Sequence, residues 1–207
     1  MQYSSGMVGL RERKKQRTRR ALIESALRLF DEKGFEETTL AEIAAGADVS
    51  TRTFFSYFAS KEDVVFYDTH ERMELVRSLL VRADPGMSPA DLLIRVVENS
   101  LAWSSAQEEL TFEDAELRLR LILTEPTLQA RALTVLFDTQ LTVAQALHEA
   151  YADELSLIEA SAAVGALFGS VKLAVIASLE SNRSLEQIWD TVRRATDVAL
   201  AGLRSLG

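Results

Sequence analysis

One short stretch of the chain is rich in side chains that can contact a DNA duplex. It holds small hydroxyls, a guanidinium and two aromatic rings, at Thr51, Arg52, Thr53, Phe55, Ser56 and Tyr57. These groups can bond base edges and phosphates and can touch the methyl group of thymine. Lys61 follows at the expected start of another helix, where a phosphate also meets free backbone N–H groups. The stretch therefore predicts contact with DNA.

Two short helices joined by a turn are expected to position these side chains. Thr39 and Glu42 have the spacing of a capping box, which predicts a helix that runs to about residue 46. Ser50 is typical of an N-cap and predicts a second helix from Thr51 to Phe58. Apolar residues that pack the two helices together are expected at Ile43, Ala44, Val49, Phe54 and Phe58. This is the spacing of a helix-turn-helix, whose second helix enters the major groove.

The charge of the chain is divided unevenly along its length. The net charge is −8, yet residues 1–62 hold 11 Lys or Arg against nine Asp or Glu, whereas residues 63–207 hold 12 against 22. Residues 11–20 alone carry seven bases and one acid, and the last two bases are Arg19 and Arg20. Such an arm is by itself also compatible with a solvated tail, but directly ahead of a helix-turn-helix it favours phosphate contact, so both arginines are predicted to touch DNA.

From about Arg17 to Val65 the chain resembles the tetracycline-repressor (TetR) family of bacterial transcriptional repressors. The segment from Thr38 to Val65, T-T-L-A-E-I-A-A-G-A-D-V-S-T-R-T-F-F-S-Y-F-A-S-K-E-D-V-V, follows the family pattern nearly residue by residue. The resemblance implies base or phosphate contacts for the recognition helix and its flank, at Thr51, Arg52, Thr53, Tyr57 and Lys61. It also implies that Thr39, grouped with these interface residues, caps the first helix of the pair.

Two positions depart from the family pattern. Phe55 stands where a phosphate-binding Tyr is usual, and Asp48 stands where Gly is usual. Phe55 is retained as an exposed contact although it has no hydroxyl to donate. Asp48 can adopt the left-handed backbone of a turn at modest cost.

Composition favours helices throughout the chain. Among 207 residues there are only 3 Pro and 9 Gly, too few for the turns of a β-rich protein. Periodicity and cap residues predict about nine helices: an amphipathic first helix ending near 34, the two short helices, then 61–81, 89–106, 109–123, 126–151, 157–181 and 184–206. We therefore expect an all-α protein, with a helix-turn-helix domain and basic arm in residues 1–60 and a ligand-binding and dimerisation domain in residues 61–207.

The resemblance also implies that the second domain binds a small inducer and forms a homodimer through its last two helices. Polar or aromatic residues on otherwise apolar helices are the candidates for the ligand pocket: Trp103, Phe112, Arg118, Gln140 and His148. Small or apolar residues on the last two helices are the candidates for the dimer contact: Ala166, Gly169, Ile188, Val192, Ala195 and Ala199. An acyl-CoA-like inducer is suggested by the same resemblance.

Several classes of site are not expected. The chain has no Cys, which excludes disulfides and thiolate chemistry, and His70-Glu71 lacks the second His of a zinc-protease motif. No arrangement typical of an enzyme is found, and neither a cofactor nor a metal is expected. The longest uncharged run, Ala160 to Val171, is 12 residues, too short to span a bilayer, so a cytoplasmic protein without membrane contact is predicted.

The function predicted from these observations is ligand-responsive, sequence-specific binding of a near-palindromic DNA operator by a dimer. An inducer would tilt the helix over 61–81 and lower the affinity for operator DNA. Two alternatives stay open: a helical protein-interaction module that keeps the fold without specific DNA binding, and a helical enzyme, which would need a catalytic arrangement not found here.

Overall fold

The computed structural model describes residues 4–82, 86–106, 112–181 and 185–204, and all regular structure within these ranges is helical. The helices are α1 Ser4–Lys33, α2 Leu40–Gly46, α3 Thr51–Phe54, α4 Lys61–Val65, α5 Thr69–Val81, α6 Pro89–Ala106, α7 Phe112–Thr124, α8 Pro126–Ala150, α9 Leu157–Glu180 and α10 Leu185–Arg204. The all-α fold class is confirmed, with ten helices in the described ranges where about nine were predicted.

The described residues pack into two compact units. The first unit lies within Met1–Asp68 and Glu108–Ala132, and the second within Thr69–Gln107 and Leu133–Gly207. Helix α7 and the start of α8 thus pack with α1 to α4, from which they are distant in sequence. The proposed functional boundary after residue 60 remains a prediction, and the packing boundary lies at residue 68.

The first unit has its core where the apolar stripe of α1 meets the short helices. Leu22, Ile23 and Leu27 are buried on α1, and Ile43, Phe54 and Phe58 are buried from the helix-turn-helix, as their spacing predicts. Helices α7 and α8 also contribute to this core, through Leu117, Leu121 and Leu128. Burying each such side chain contributes roughly 1.5–3 kcal/mol, so α7 contributes to the stability of this unit.

The second unit has a separate core built from α5, α6, α8, α9 and α10. Its fully buried side chains include Leu80, Leu92, Leu93, Leu147 and Leu200. The Tyr151 hydroxyl donates a hydrogen bond of 2.8 Å to the carbonyl oxygen of Met87 and so fixes the end of α8 to the segment before α6.

Helix α1 begins earlier than its apolar periodicity predicts. The periodic stripe starts at Leu22, whereas the helix starts at Ser4. The intervening residues are mostly Arg, Lys, Glu and Gln, which are good helix formers without an apolar face to reveal them. Side-chain hydrogen bonds between Gln16 and Glu12 (3.2 Å) and between Arg20 and Glu24 (2.8 Å) support this segment at i,i+4 spacing.

Two other helices are shorter than predicted. The helix expected over 51–58 ends at Phe54 and continues as a turn, and the helix expected over 61–81 is broken by a turn at residues 66–68. At this break the carbonyl oxygens of Val65 and Tyr67 accept hydrogen bonds from Arg118 and Arg19. Distant side chains thus satisfy backbone groups that the break leaves free, which local periodicity cannot reveal.

Candidate nucleic-acid interface

A capping box fixes the start of α2. The Thr39 hydroxyl accepts a hydrogen bond from the backbone N–H of Glu42 (3.3 Å), and the backbone N–H of Thr39 donates to the Glu42 carboxylate (2.9 Å). Hydrogen bonds from Lys33 and then from Thr39 lower the pKa of Glu42 from its ordinary value of 4.5 to about 2. The Thr39 side chain is therefore engaged in the cap, as the resemblance implies.

The side chain of Ser25 on α1 positions α2 through close contacts. The buried hydroxyl of Ser25 donates a hydrogen bond of 3.0 Å to the carbonyl oxygen of Ile43. A Cβ atom at Gly46 would lie 2.2 Å from the Ser25 Oγ, so only glycine fits this position without rearrangement. The turn after α2 then passes through Asp48, whose φ of 54° lies in the left-handed region. Asp fills the usual Gly position because its short polar side chain tolerates this conformation.

Helix α3 presents Thr51 and Arg52 to solvent. Ser50 caps the helix by accepting a hydrogen bond of 3.1 Å from the backbone N–H of Thr53, and its hydroxyl also lies 2.9 Å from the Thr53 hydroxyl. Thr53 is therefore engaged in the cap. Within the described residues the exposed guanidinium of Arg52 has no hydrogen-bond or ion-pair partner, so it is available to a ligand.

The two aromatic candidates differ in exposure. Phe55 is 55% exposed and touches Phe54 edge to face, with ring centroids 5.7 Å apart. Tyr57 is half-buried and packs against the core of the first unit. Phe55 therefore offers an apolar surface suited to a thymine methyl group, whereas the Tyr57 ring also serves packing.

Lys61, predicted to contact phosphate, contacts the loop before α2 in the structure. Its ammonium group donates to the carbonyl oxygens of Phe35 (2.8 Å), Glu36 (3.2 Å) and Thr38 (3.4 Å). It also lies 4.4 Å from the centroid of the buried Phe35 ring. Because an ammonium has three N–H donors, all three are directed to the loop before α2. Lys61 therefore connects that loop to α4, and its predicted phosphate contact stays a prediction.

The basic arm is a helical surface. Its exposed bases are Arg11, Arg13, Lys14, Lys15, Arg17 and Arg20. Arg20 is paired with Glu24 at 2.8 Å, and Arg19 is turned inward. The Arg19 guanidinium donates to the carbonyl oxygen of Tyr67 and lies 5.3 Å from the centroid of its ring, so this arginine is used within the first unit.

Arg118, predicted to line the ligand pocket, has its side chain engaged within the first unit. Its guanidinium forms a buried ion pair of 2.8 Å with Asp68 and donates a 3.0 Å hydrogen bond to the carbonyl oxygen of Val65, both in the first unit. The guanidinium also lies 4.5 Å from the centroid of the Tyr67 ring. The reason is that α7 packs against α1 and the turn after α4, a tertiary contact that periodicity does not predict.

The other pocket candidates are placed as follows. Gln140 and His148 are half-buried on α8, and the Nδ1 atom of His148 lies 2.7 Å from the carbonyl oxygen of Leu155. Trp103 and Phe112 belong to α6 and α7, but their side chains lie outside the described part of the structure. The ligand pocket therefore remains a prediction.

The predicted dimer contacts fall into two groups. Ile188 and Val192 are buried within one chain, so they do not form a free surface. Ala166 is exposed, and three others are partly exposed, namely Gly169, Ala195 and Ala199. Sequence reasoning missed the larger apolar side chains that are exposed on the same two helices: Ile158, Leu173 and Val198. The sequence of α9 could have revealed Ile158 and Leu173, because apolar residues lie on more than one face of this helix.

Helix α9 is also long and apolar enough to cross a membrane by length and composition alone. The segment Leu157–Ser178 has a mean hydropathy of 1.8, and 22% of it is buried in the chain. This differs from the prediction that no segment is long enough, because the helix continues past Lys172. Length and composition alone do not establish a membrane span, because a helix that packs against a partner chain can have the same apolar composition.

A capped helix pair with a rigid turn and an exposed second helix is a helix-turn-helix, which defines a class of DNA-binding protein. Residues 22–67 match the family model described as bacterial regulatory proteins, tetR family. In this part, which holds the helix-turn-helix and its flanking segments, the chain is similar to the tetR family of bacterial regulatory proteins.

Relatives and solved structures agree with this assignment. The chain is 55% identical over 56 residues to the HTH-type transcriptional regulator TcmR of Streptomyces glaucescens, which covers 27% of this chain and 25% of TcmR. The matches span 25% to 60% of the length of the curated relatives. The fold is similar to that of SmeT, the repressor of the Stenotrophomonas maltophilia efflux pump SmeDEF, with a TM-score of 0.60, 18% identity and 89% coverage of both chains.

A third similar protein is Thermus thermophilus FadR, a TetR-family transcriptional repressor whose structure was solved in complex with lauroyl-CoA. It has 25% identity and a TM-score of 0.51, and the similarity covers 88% of this chain and 93% of that chain. These proteins are all named as regulators of transcription.

Proposed function

We propose that the chain is a sequence-specific transcriptional repressor that binds a near-palindromic operator as a homodimer and leaves it when a small molecule binds. The observation that carries this proposal is the geometry of α3. A capped, four-residue helix holds Phe54 in the core and leaves Thr51 and Arg52 exposed beside each other. An exposed guanidinium on a rigid helix is the side chain best suited to the edge of a guanine.

Dimerisation is supported by the surface of the last two helices. Ile158 and Leu173 on α9 are 82% and 63% exposed, and Val198 on α10 is 74% exposed. Large apolar side chains that are exposed together mark a contact with another molecule. A second copy of the chain on this face gives two reading helices, and a two-fold dimer reads half-sites about 34–36 Å apart.

The proposed inducer is an acyl-CoA-like molecule that binds the second unit. This rests on the solved complex of Thermus thermophilus FadR with lauroyl-CoA. The predicted switch was a tilt of one continuous helix over 61–81, but this segment is broken by a turn at residues 66–68. We therefore place the bend of the switch at that turn. Lauroyl-CoA, with free CoA as the control, is the first probe for release of bound DNA.

Selection from a pool of random-sequence duplexes tests the proposed function. The intact dimer is incubated with the pool at two salt concentrations, and the retained DNA is sequenced. We expect enrichment of a near-palindrome, with an affinity that falls steeply as the salt concentration rises because phosphate contacts release counterions. No enrichment at a concentration where the dimer is intact would reject the repressor assignment and favour a protein-interaction module.

A further inference from the structure

The turn between α4 and α5 is held by two arginines from opposite ends of the first unit's sequence. Arg118 of α7 contacts three groups at this turn: the carbonyl oxygen of Val65 (3.0 Å), the Tyr67 ring (4.5 Å from its centroid) and the Asp68 carboxylate (2.8 Å). Arg19 of α1 donates to the Tyr67 carbonyl oxygen and lies 5.3 Å from the same ring. We call these five residues the turn clamp.

Burial distinguishes the turn clamp from the other ion pairs of this unit. The side chains of Arg118 and Asp68 are 14% and 8% exposed. Two further arginines from the same part of the chain also pair with aspartates, Arg120 with Asp31 and Arg131 with Asp63, but Arg120 and Asp31 are 59% and 64% exposed. A buried pair loses much more when one partner is removed than an exposed pair does, because the remaining charge is left without compensation.

The clamp joins α7 to the helices that present α3. Tyr67 is buried in the same core as Phe54 and Phe58, and the Arg19 guanidinium also lies 5.9 Å from the centroid of the Phe58 ring. Phe58 ends the turn that follows α3, and Val65 ends α4. Arg118 is therefore linked to Phe58, at the end of the segment that follows the reading helix, through Tyr67 and Arg19.

We propose that Arg118 is a positioning residue for operator recognition: by holding Val65, Tyr67 and Asp68 it fixes the turn that follows α4 and so makes α7 a working part of the DNA-reading unit. This inference rests on the proposed function. It assigns a role to the buried Arg118, which takes part neither in the capping hydrogen bonds of α2 and α3 nor in the exposed face of α3.

Substitution of Arg118 in the full chain tests the proposal through specificity. The affinities of Arg118→Met for the selected operator and for a random duplex are measured at a temperature below the variant's own unfolding transition. We expect operator affinity to fall by about tenfold, while random-duplex affinity changes little because the exposed arm is intact. Loss of folded protein alone would lower both affinities equally.

Two further variants and one control sharpen the result. Asp68→Asn should reproduce the loss, and the double variant Asp68→Asn with Arg118→Met should lose no more than either single variant, because both act through one contact. Arg118→Lys keeps the charge but cannot make all three contacts, so it should recover part of the specificity. The matched control is Arg120→Met, whose exposed pair lies on the same helix and should alter operator affinity by less than about twofold.

Folded Arg118→Met with the wild-type ratio of operator to random-duplex affinity would overturn the proposal, as would an equal loss of both affinities.

Hydrogen exchange of the wild-type chain tests the positioning role of Arg118 if the variants do not fold. Amides of α7 should become protected together with those of α2 and α3 when operator is added. Protection of α2 and α3 alone would also overturn the proposal. Failure of the wild-type chain to enrich any DNA would instead reject the proposed function. In that case the turn clamp is still tested without DNA, by whether the amides of α7 exchange cooperatively with those of α2 and α3.

Discussion

The ammonium group of Lys61 contacts the protein rather than solvent, and this predicts a particular salt dependence. In Lys61→Met the three carbonyl oxygens of the loop before α2 lose their donor. We expect unfolding stability to fall by about 1–3 kcal/mol and operator affinity to fall without a change in its slope against salt concentration. Thermal unfolding and a salt titration of operator affinity measure the two effects.

Lys15→Met is the matched control for this experiment, because Lys15 is exposed on the basic arm. If it contacts phosphate, the slope of log affinity against log salt should flatten by up to about 1.8 for two subunits, while stability is unchanged. A flatter slope for Lys61→Met at unchanged stability would show that Lys61 leaves the loop to bind phosphate.

Arg52 is the side chain expected to read sequence. Arg52→Ala should relax the preference at one base pair of each half-site, at a cost of about 1–3 kcal/mol for the preferred base. Selection from the random pool, repeated with the variant, measures this preference. Arg28→Ala, which removes an exposed arginine paired with Glu32 on α1, should leave the preference intact. Uniform weakening on all sequences would assign Arg52 to a phosphate.

Glu42 links the cap of α2 to pH. Its pKa is about 2 in the folded chain against an ordinary value of 4.5, because Lys33 and Thr39 donate to its carboxylate. The folded state binds the proton less readily than the unfolded state, so the stabilisation is present above pH 4.5 and is lost as the pH falls toward 2. Glu42→Gln should reduce the slope of stability against pH in this range, measured by thermal unfolding. An unchanged slope would show that the Glu42 carboxylate does not stabilise the folded chain.

Close contact between elements makes Gly46 the most constrained position of the helix-turn-helix. Gly46→Ala places a Cβ atom 2.2 Å from the Ser25 Oγ, so either this hydroxyl must leave the Ile43 carbonyl oxygen or the helices α1 and α2 must separate. We expect a loss of about 1–3 kcal/mol in unfolding stability. Gly165→Ala is the matched control, since a Cβ atom there meets nothing within 4 Å in the chain. Equal stability of Gly46→Ala and wild type would show that this approach is adjustable.

The sequence predicted the elements whose information is local. The capping box at Thr39, the cap at Ser50 and the inward spacing of Phe54 and Phe58 all appear in the structure at the expected places. The break at residues 66–68 could not be predicted, because the partner that stabilises it is Arg118, 50 residues from Asp68. The functional site was thus predictable as a motif, whereas the contacts of Lys61, Arg19 and Arg118 depend on tertiary packing.

At the level of the whole molecule, the exposed face of α9 predicts the oligomeric state. Leu173→Glu places a charge on a side chain that is 63% exposed in one chain, and a dimer through this face would have to bury it. We expect the sedimentation velocity of the variant to be that of a monomer and its operator affinity to fall. The control is Leu133→Glu, at a position of similar exposure, 60%, on α8. If Leu173→Glu remains a dimer, the contact lies on another surface.

The helical form of the basic arm has a consequence for the rate at which the protein finds DNA. A flexible arm loses roughly 1–2 kcal/mol of conformational freedom for each residue that becomes ordered on binding. Here the 30 residues of α1 already form one helix, which measures about 45 Å. Its exposed bases are therefore held in a fixed array before any encounter, and they can attract a duplex over the first Debye length without an ordering step. Long-range search along nonspecific DNA, rather than the lifetime of the final complex, is the property that this rigid arm favours.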